Sequence, residues 1–96
     1  MLDTQGRLVI GIDLLSRVNL EPEVTVQCFF ERTKKALVLL PESVDLNGEE
    51  LYFIQIIQIQ KGARIIMPSK IRKAFPKANY LPSTFEDRIY IHIFEN

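Results

Sequence analysis

Apolar and polar positions alternate along much of the chain with a period of two, the signature of a strand that buries one face. Val24, Val26, Cys28 and Phe30 alternate with Thr25, Gln27 and Phe29. Near the end, Ile89, Ile91 and Ile93 alternate with Tyr90, His92 and Phe94. Successive strand side chains point to opposite faces, so both stretches predict strands with one side in a core. Shorter apolar runs at 7–10, 36–40 and 64–67 also have strand length. The polar stretch 31–35 between two such runs predicts a hairpin loop. Pro41 ends the strand that follows, because it has no N–H to give to a ladder. Residues 51–60 read as one long strand, and their mixed pattern fits burial on both faces. Asn47-Gly48 is a strong turn signal inside a linker placed at 42–53.

Two stretches carry helical spacing instead. Residues 12–18 set Ile12, Leu15 and Val18 on one side. Residues 68–75 open on Pro68, whose missing N–H costs nothing in a first helical turn. Ile71 and Phe75 give that helix its apolar face at i, i+4, and Pro76 stops it. Lys70, Arg72, Lys73 and Lys77 then point mostly away from the core, and cations near the C-terminal end suit the helix dipole. The segment 77–87 reads as a loop.

The two halves of the chain resemble each other at one constant offset, the step from Arg7 to Arg64. Arg7-Leu8-Val9-Ile10-Gly11 lies over Arg64-Ile65-Ile66-Met67-Pro68, Leu14 over Ile71 and Val18 over Phe75. A glycine closely precedes each arginine, Gly6 in one half and Gly62 in the other, with Ala63 as a one-residue insertion. One such unit cannot bury its apolar face alone; two can close on each other and share a core. The expected fold is therefore mostly β with two short helices: a small barrel made from two pseudo-repeated strand–helix–strand units, 1–41 and 54–96. A chain of 96 residues suffices for one domain with one core.

Composition narrows the function classes. Hydrophobic residues make up 47% and charged residues 25%, as in a folded domain rather than a disordered one. No apolar run approaches the ~18 residues of a membrane helix, and the opening residues show no basic-then-apolar leader. The single cysteine, Cys28, cannot form an internal disulfide, so a cytoplasmic location is expected. Net charge is zero, yet residues 61–77 hold six cations and no acid, whereas residues 1–48 hold five cations and seven acids. A neutral total thus hides one basic segment, and that segment is what a partner would sense.

The sequence offers no catalytic constellation. One histidine, His92, and one cysteine in separate halves cannot furnish the four ligands of a typical zinc site. The four glycines are scattered, so no Gly-rich loop cradles a phosphate. Neither an enzymatic activity nor a metal or cofactor is expected. Cys28 reads as a packing residue, His92 as a surface or interface residue, and Phe29, opposite in phase to Cys28, as a candidate partner surface.

The run Asp3-Thr4-Gln5-Gly6-Arg7-Leu8-Val9-Ile10 resembles the opening of AbrB/MazE/SpoVT-type domains. Arg64-Ile65-Ile66-Met67-Pro68-Ser69-Lys70-Ile71-Arg72-Lys73-Ala74-Phe75 resembles the rest of that pattern more closely: arginine, three apolar residues, proline, an aliphatic residue, arginine and an aromatic residue in order. In that family two chains interleave as a swapped-hairpin barrel, whereas here one chain carries both units, as in the fused RIFT and double-psi barrels. The first copy departs from the pattern, with Gly11 for proline and Leu15 for arginine. The resemblance implies a transcriptional regulator that binds double-stranded DNA, and its carried-over contacts are Arg64, Arg72 and Lys73, with Arg7 a less complete match. Lys61 and Lys70 join them on charge position alone. The family habit implies a homodimer. A protein-binding, antitoxin-like or assembly module without DNA is the competing expectation.

Overall fold

Strand pairing divides the β structure into two antiparallel sheets. In chain order the elements are β1 (Arg7–Val9), α1 (Ile12–Arg17), β2 (Thr25–Glu31), β3 (Ala36–Pro41), β4 (Tyr52–Gln58), β5 (Arg64–Ile66), α2 (Ser69–Ala74), β6 (Ala78–Phe85) and β7 (Arg88–Glu95). This computed structural model describes residues 2–21, 23–41 and 50–95. β1 and β5 form a two-stranded ribbon, and the other five strands form a sheet in the order β4-β2-β3-β7-β6. Among the described residues the ladders do not close into a ring, since β4 and β6 remain edges. The Asn47-Gly48 turn lies outside the described residues, and the last two positions of the expected linker, Tyr52 and Phe53, belong to β4.

The core lies between the ribbon and one face of the large sheet. Val26 and Cys28 of β2, Leu37 and Leu39 of β3, and Ile89, Ile91 and Ile93 of β7 meet Leu8 and Ile65 of the ribbon. Leu15 of α1 and Ile71 of α2 join the same cluster. Period-two alternation therefore locates the buried faces of β2 and β7 correctly. β3 is buried on both faces, because Ala36, Val38 and Leu40 form a second cluster with Phe29 and Tyr90 against which Leu51 packs. That double burial explains why residues 36–40 read as an unbroken apolar run. Burial pushes the Cys28 thiol up to about 12, so the sulfur stays protonated and acts as a packing group.

Residues 78–85 form a strand rather than a loop, paired with β7 from Ala78↔Glu95 to Phe85↔Arg88. Asn79, Pro82 and Ser83 give the segment a turn-like composition. An edge strand needs only alternate N–H groups for its ladder, so it tolerates Pro82. Ile12 is 64% exposed rather than buried. It stands at the first position of a six-residue helix, and of the three expected positions Leu15 and Val18, farther along, reach the core.

The spacing of the elements is regular. The step from Arg7 to Arg64, which separates the starts of β1 and β5, equals the step from Ile12 to Ser69, which separates the starts of α1 and α2. The two members of each pair also have equal lengths. The hydrogen bonds follow the same spacing. The Asp3 N–H donates to the Arg7 carbonyl at 3.0 Å, and the Gln60 N–H donates to the Arg64 carbonyl at 2.7 Å. The Ile10 N–H donates to the Ala63 carbonyl at 2.8 Å, and the Met67 N–H donates to the Gly6 carbonyl at 2.9 Å. These bonds put Ala63 (φ 56°), not Gly62, in the place that Gly6 (φ 76°) holds in the other half. Ala63 is thus the counterpart of Gly6, and not an insertion. Past the helices the correspondence slips: β6 starts earlier in its half than β2 does in the other, because the α2–β6 connection is shorter than the α1–β2 connection.

Gly6 is constrained twice over. Its left-handed backbone disfavours a side chain, and an added Cβ would lie 2.6 Å from Arg72 Nη1. Gly6→Ala is expected to cost about 1–2 kcal/mol from the left-handed backbone and to push the Arg72 guanidinium aside. Chemical denaturation checks the first effect; a loss below a few tenths of a kcal/mol would contradict the constraint.

Candidate nucleic-acid interface

The ribbon has one buried and one open face. Leu8 pairs with Ile65 at its centre, and both point into the core. A strand whose middle residue points inward aims its neighbours outward. Arg7 and Val9 of β1 and Arg64 and Ile66 of β5 therefore share the outer face. Val9 is 61% and Ile66 46% exposed, while both arginines are half-buried. Register places Arg7 opposite Ile66 at the end that leads into α2, and Arg64 opposite Val9 at the end that leads into α1. Each end thus presents one guanidinium and one branched aliphatic side chain.

The two arginines have different surroundings. Arg7 Nε donates to Asp3 Oδ2 at 2.9 Å, and the Arg7 and Gln5 backbone N–H groups both donate to Asp3 Oδ1 at 2.9 Å. These contacts, led by the Arg7 backbone N–H, hold the Asp3 carboxyl below its ordinary value. Arg64 has Gln60 where Arg7 has Asp3, so it lacks a carboxylate there. Its Nε donates to the Lys61 carbonyl at 3.4 Å.

α2 adds cations beside the Arg7 end. The Arg72 guanidinium rests against Gly6, in space that only a glycine leaves free. Ile71 is buried and Phe75 half-buried, so Lys73, nearly opposite Ile71 on the helix, faces solvent together with Lys70. Lys61 lies in the turn before Arg64, and Lys77 just beyond α2; both are exposed. Ion pairs among the described residues join Arg7 to Asp3, Lys35 to Glu95 and Arg88 to Asp87. None of Lys61, Arg64, Lys70, Arg72, Lys73 and Lys77 takes part in one.

The chain matches no family model, no curated protein and no solved structure. The interface therefore rests on its own geometry. That geometry brings Arg72 to the Arg7 end of the ribbon and Lys61 to the Arg64 end, and it sets Arg7 and Arg64 apart on a diagonal. Sequence reasoning missed Val9 and Ile66, although alternation around Leu8 and Ile65 marks both as outward. It also missed the partnership of Asp3 with Arg7, although a carboxylate four residues before an arginine across a glycine turn is within reach.

Other expectations resolve outside the ribbon. Phe29 is 5% exposed and meets Phe53 edge-to-face at 5.5 Å, so it is a packing residue and not a partner surface. The exposed aromatics are Tyr52, Phe53, Phe85 and Phe94. His92 is half-buried, stacked beside Tyr90, with its Nε2 3.1 Å from Ser83 Oγ. No group of His, Cys, Asp and Glu among the described residues could hold a metal ion. No helix among them is long and apolar enough to cross a membrane.

Proposed function

We propose that the chain is a cytoplasmic, DNA-binding transcriptional regulator of the AbrB-like type, a binding protein and not an enzyme. The observation that carries this reading is Arg64, an arginine on the outer face of a two-stranded ribbon with no carboxylate partner among the described residues. The major groove, ~12 Å wide, admits such a ribbon. Arginine can grip a guanine edge with two hydrogen bonds, and an aliphatic side chain can meet a thymine methyl. Arg64 and Ile66 supply these two kinds of contact. Lys61, Lys70, Arg72 and Lys73 suit phosphates, which fix position without reading sequence. The constant offset between the halves and the reciprocal bonds through Gly6 and Ala63 support a duplicated unit of the swapped-hairpin, RIFT or double-psi kind. A homodimer would match two half-sites on the duplex.

The test is fluorescence anisotropy of a labelled random-sequence duplex at 50 and 200 mM salt. With ~4 phosphate contacts, affinity is expected to fall roughly 10²-fold between the two concentrations. An absence of binding at 50 mM rejects the reading.

One observation favours the second reading, a protein-binding module without DNA. The two edges of the large sheet expose Tyr52, Phe53 and Ile56 on β4, and Leu81 and Phe85 on β6. A co-purifying partner whose binding survives loss of Arg64 and Arg72 would establish it.

A further inference from the structure

The arginines of the ribbon are related by position but not by availability. Arg7 and Arg64 open equal strands at matching places in the two halves, and each strand is closed by the same backbone bond. Two positions break the equivalence. The first is Asp3 against Gln60: a carboxylate in one half, an uncharged amide in the other. The second is Leu15 against Arg72: buried in one half, an exposed guanidinium in the other.

Asp3 is held in place before it meets the guanidinium. Its Oδ1 accepts two backbone N–H groups across the turn, which leaves Oδ2 aimed at Arg7 Nε. An exposed ion pair ordinarily contributes little, partly because two loose side chains must be fixed together. Here the carboxylate is already fixed, so that part of the cost falls. A phosphate approaching Arg7 would also meet the negative charge of Asp3.

We propose that Asp3 withholds Arg7 from the duplex, so that the two ends of the ribbon present different arginines: Arg64 from strand β5 at one end and Arg72 from helix α2 at the other. Resting on the DNA-binding reading, this deepens it. Arg7 becomes a positioning residue of the turn rather than a contact. The ribbon then presents unlike ends to a duplex despite the regular spacing of its halves.

Asp3→Asn isolates the charge. Asparagine keeps an acceptor oxygen for the Gln5 and Arg7 N–H groups and removes the ion pair. The probe is a labelled random-sequence duplex at 50 mM salt, with thermal melts confirming that each variant is folded. In the wild type, Arg7→Ala is expected to weaken binding less than about 3-fold, and Arg64→Ala or Arg72→Ala about 10-fold or more. Asp3→Asn is expected to tighten binding about 3- to 10-fold, because the guanidinium is freed and a repelling charge is lost. In the Asp3→Asn background, Arg7→Ala should then cost as much as Arg64→Ala. A merely structural Asp3 would not change the cost of Arg7→Ala in this way. Equal losses for Arg7→Ala and Arg64→Ala in the wild type overturn the inference and leave DNA binding standing. If neither the wild type nor Asp3→Asn binds the duplex, the DNA-binding reading fails, and the inference with it.

Discussion

Arg64→Ala and Arg72→Ala combined in one chain are expected to weaken duplex binding ~100-fold at 50 mM salt, on the basis of about 10-fold, or about 1.4 kcal/mol, for each arginine. The two side chains serve opposite ends of the ribbon, Arg64 beside Val9 and Arg72 against Gly6. Neither can replace the other, so the losses should be close to additive. Neither arginine is buried or ion-paired among the described residues. Stability should therefore change by no more than about 0.5 kcal/mol, as for ordinary surface substitutions. Anisotropy of the labelled duplex beside a denaturant melt separates the two effects. Retained binding in the double variant would mean that the basic segment is a solvated face, and attention would pass to the aromatic edges of the sheet.

Ile91→Ala should destabilise the chain by about 2–5 kcal/mol, the range for truncating a fully buried aliphatic side chain. Ile91 has no exposed surface. It sits on β7 between Leu37 of β3 and Pro82 of β6, where no neighbour can withdraw without breaking a ladder. A domain of this size has only about 5–15 kcal/mol of stability in total, so the loss would be a large share of it. Urea denaturation monitored by circular dichroism gives the value. A loss under about 1 kcal/mol would mean that the inner face of β7 is not core.

The parts of the fold that sequence made legible are those with a strong period. Ile89, Ile91 and Ile93 announce β7, and Ile71 with Phe75 announces α2. The part it hid, β6, is held by its partner rather than by its own composition: Asn79, Pro82 and Ser83 are poor strand formers, and pairing with β7 along the whole strand overrides them. The candidate site divides along the same line. Arg64, Arg72 and Lys73 could be chosen because charge and motif are local properties. That Arg7 is tied to Asp3 is less directly legible: the spacing puts the carboxylate within reach, but the bond depends on a turn whose shape Gly6 sets with a positive φ. The counterpart of Gly6 was likewise misplaced by one residue. Gly62 is the obvious candidate by type, whereas the backbone bonds select Ala63.

The two rims of the large sheet differ in how well they are guarded. β6 carries Pro82, which breaks the row of N–H donors along its free edge. β4 pairs on one side only among the described residues; residues 51–60 contain no charge, no proline and no glycine, and Tyr52, Phe53 and Ile56 are exposed. An uncharged, β-prone strand with an open edge is a template on which another chain can add a strand, and segments of about six or seven such residues are the usual seeds of cross-β stacks. Self-association of a weakened or crowded molecule is therefore expected to begin at β4, the strand that completes the sheet.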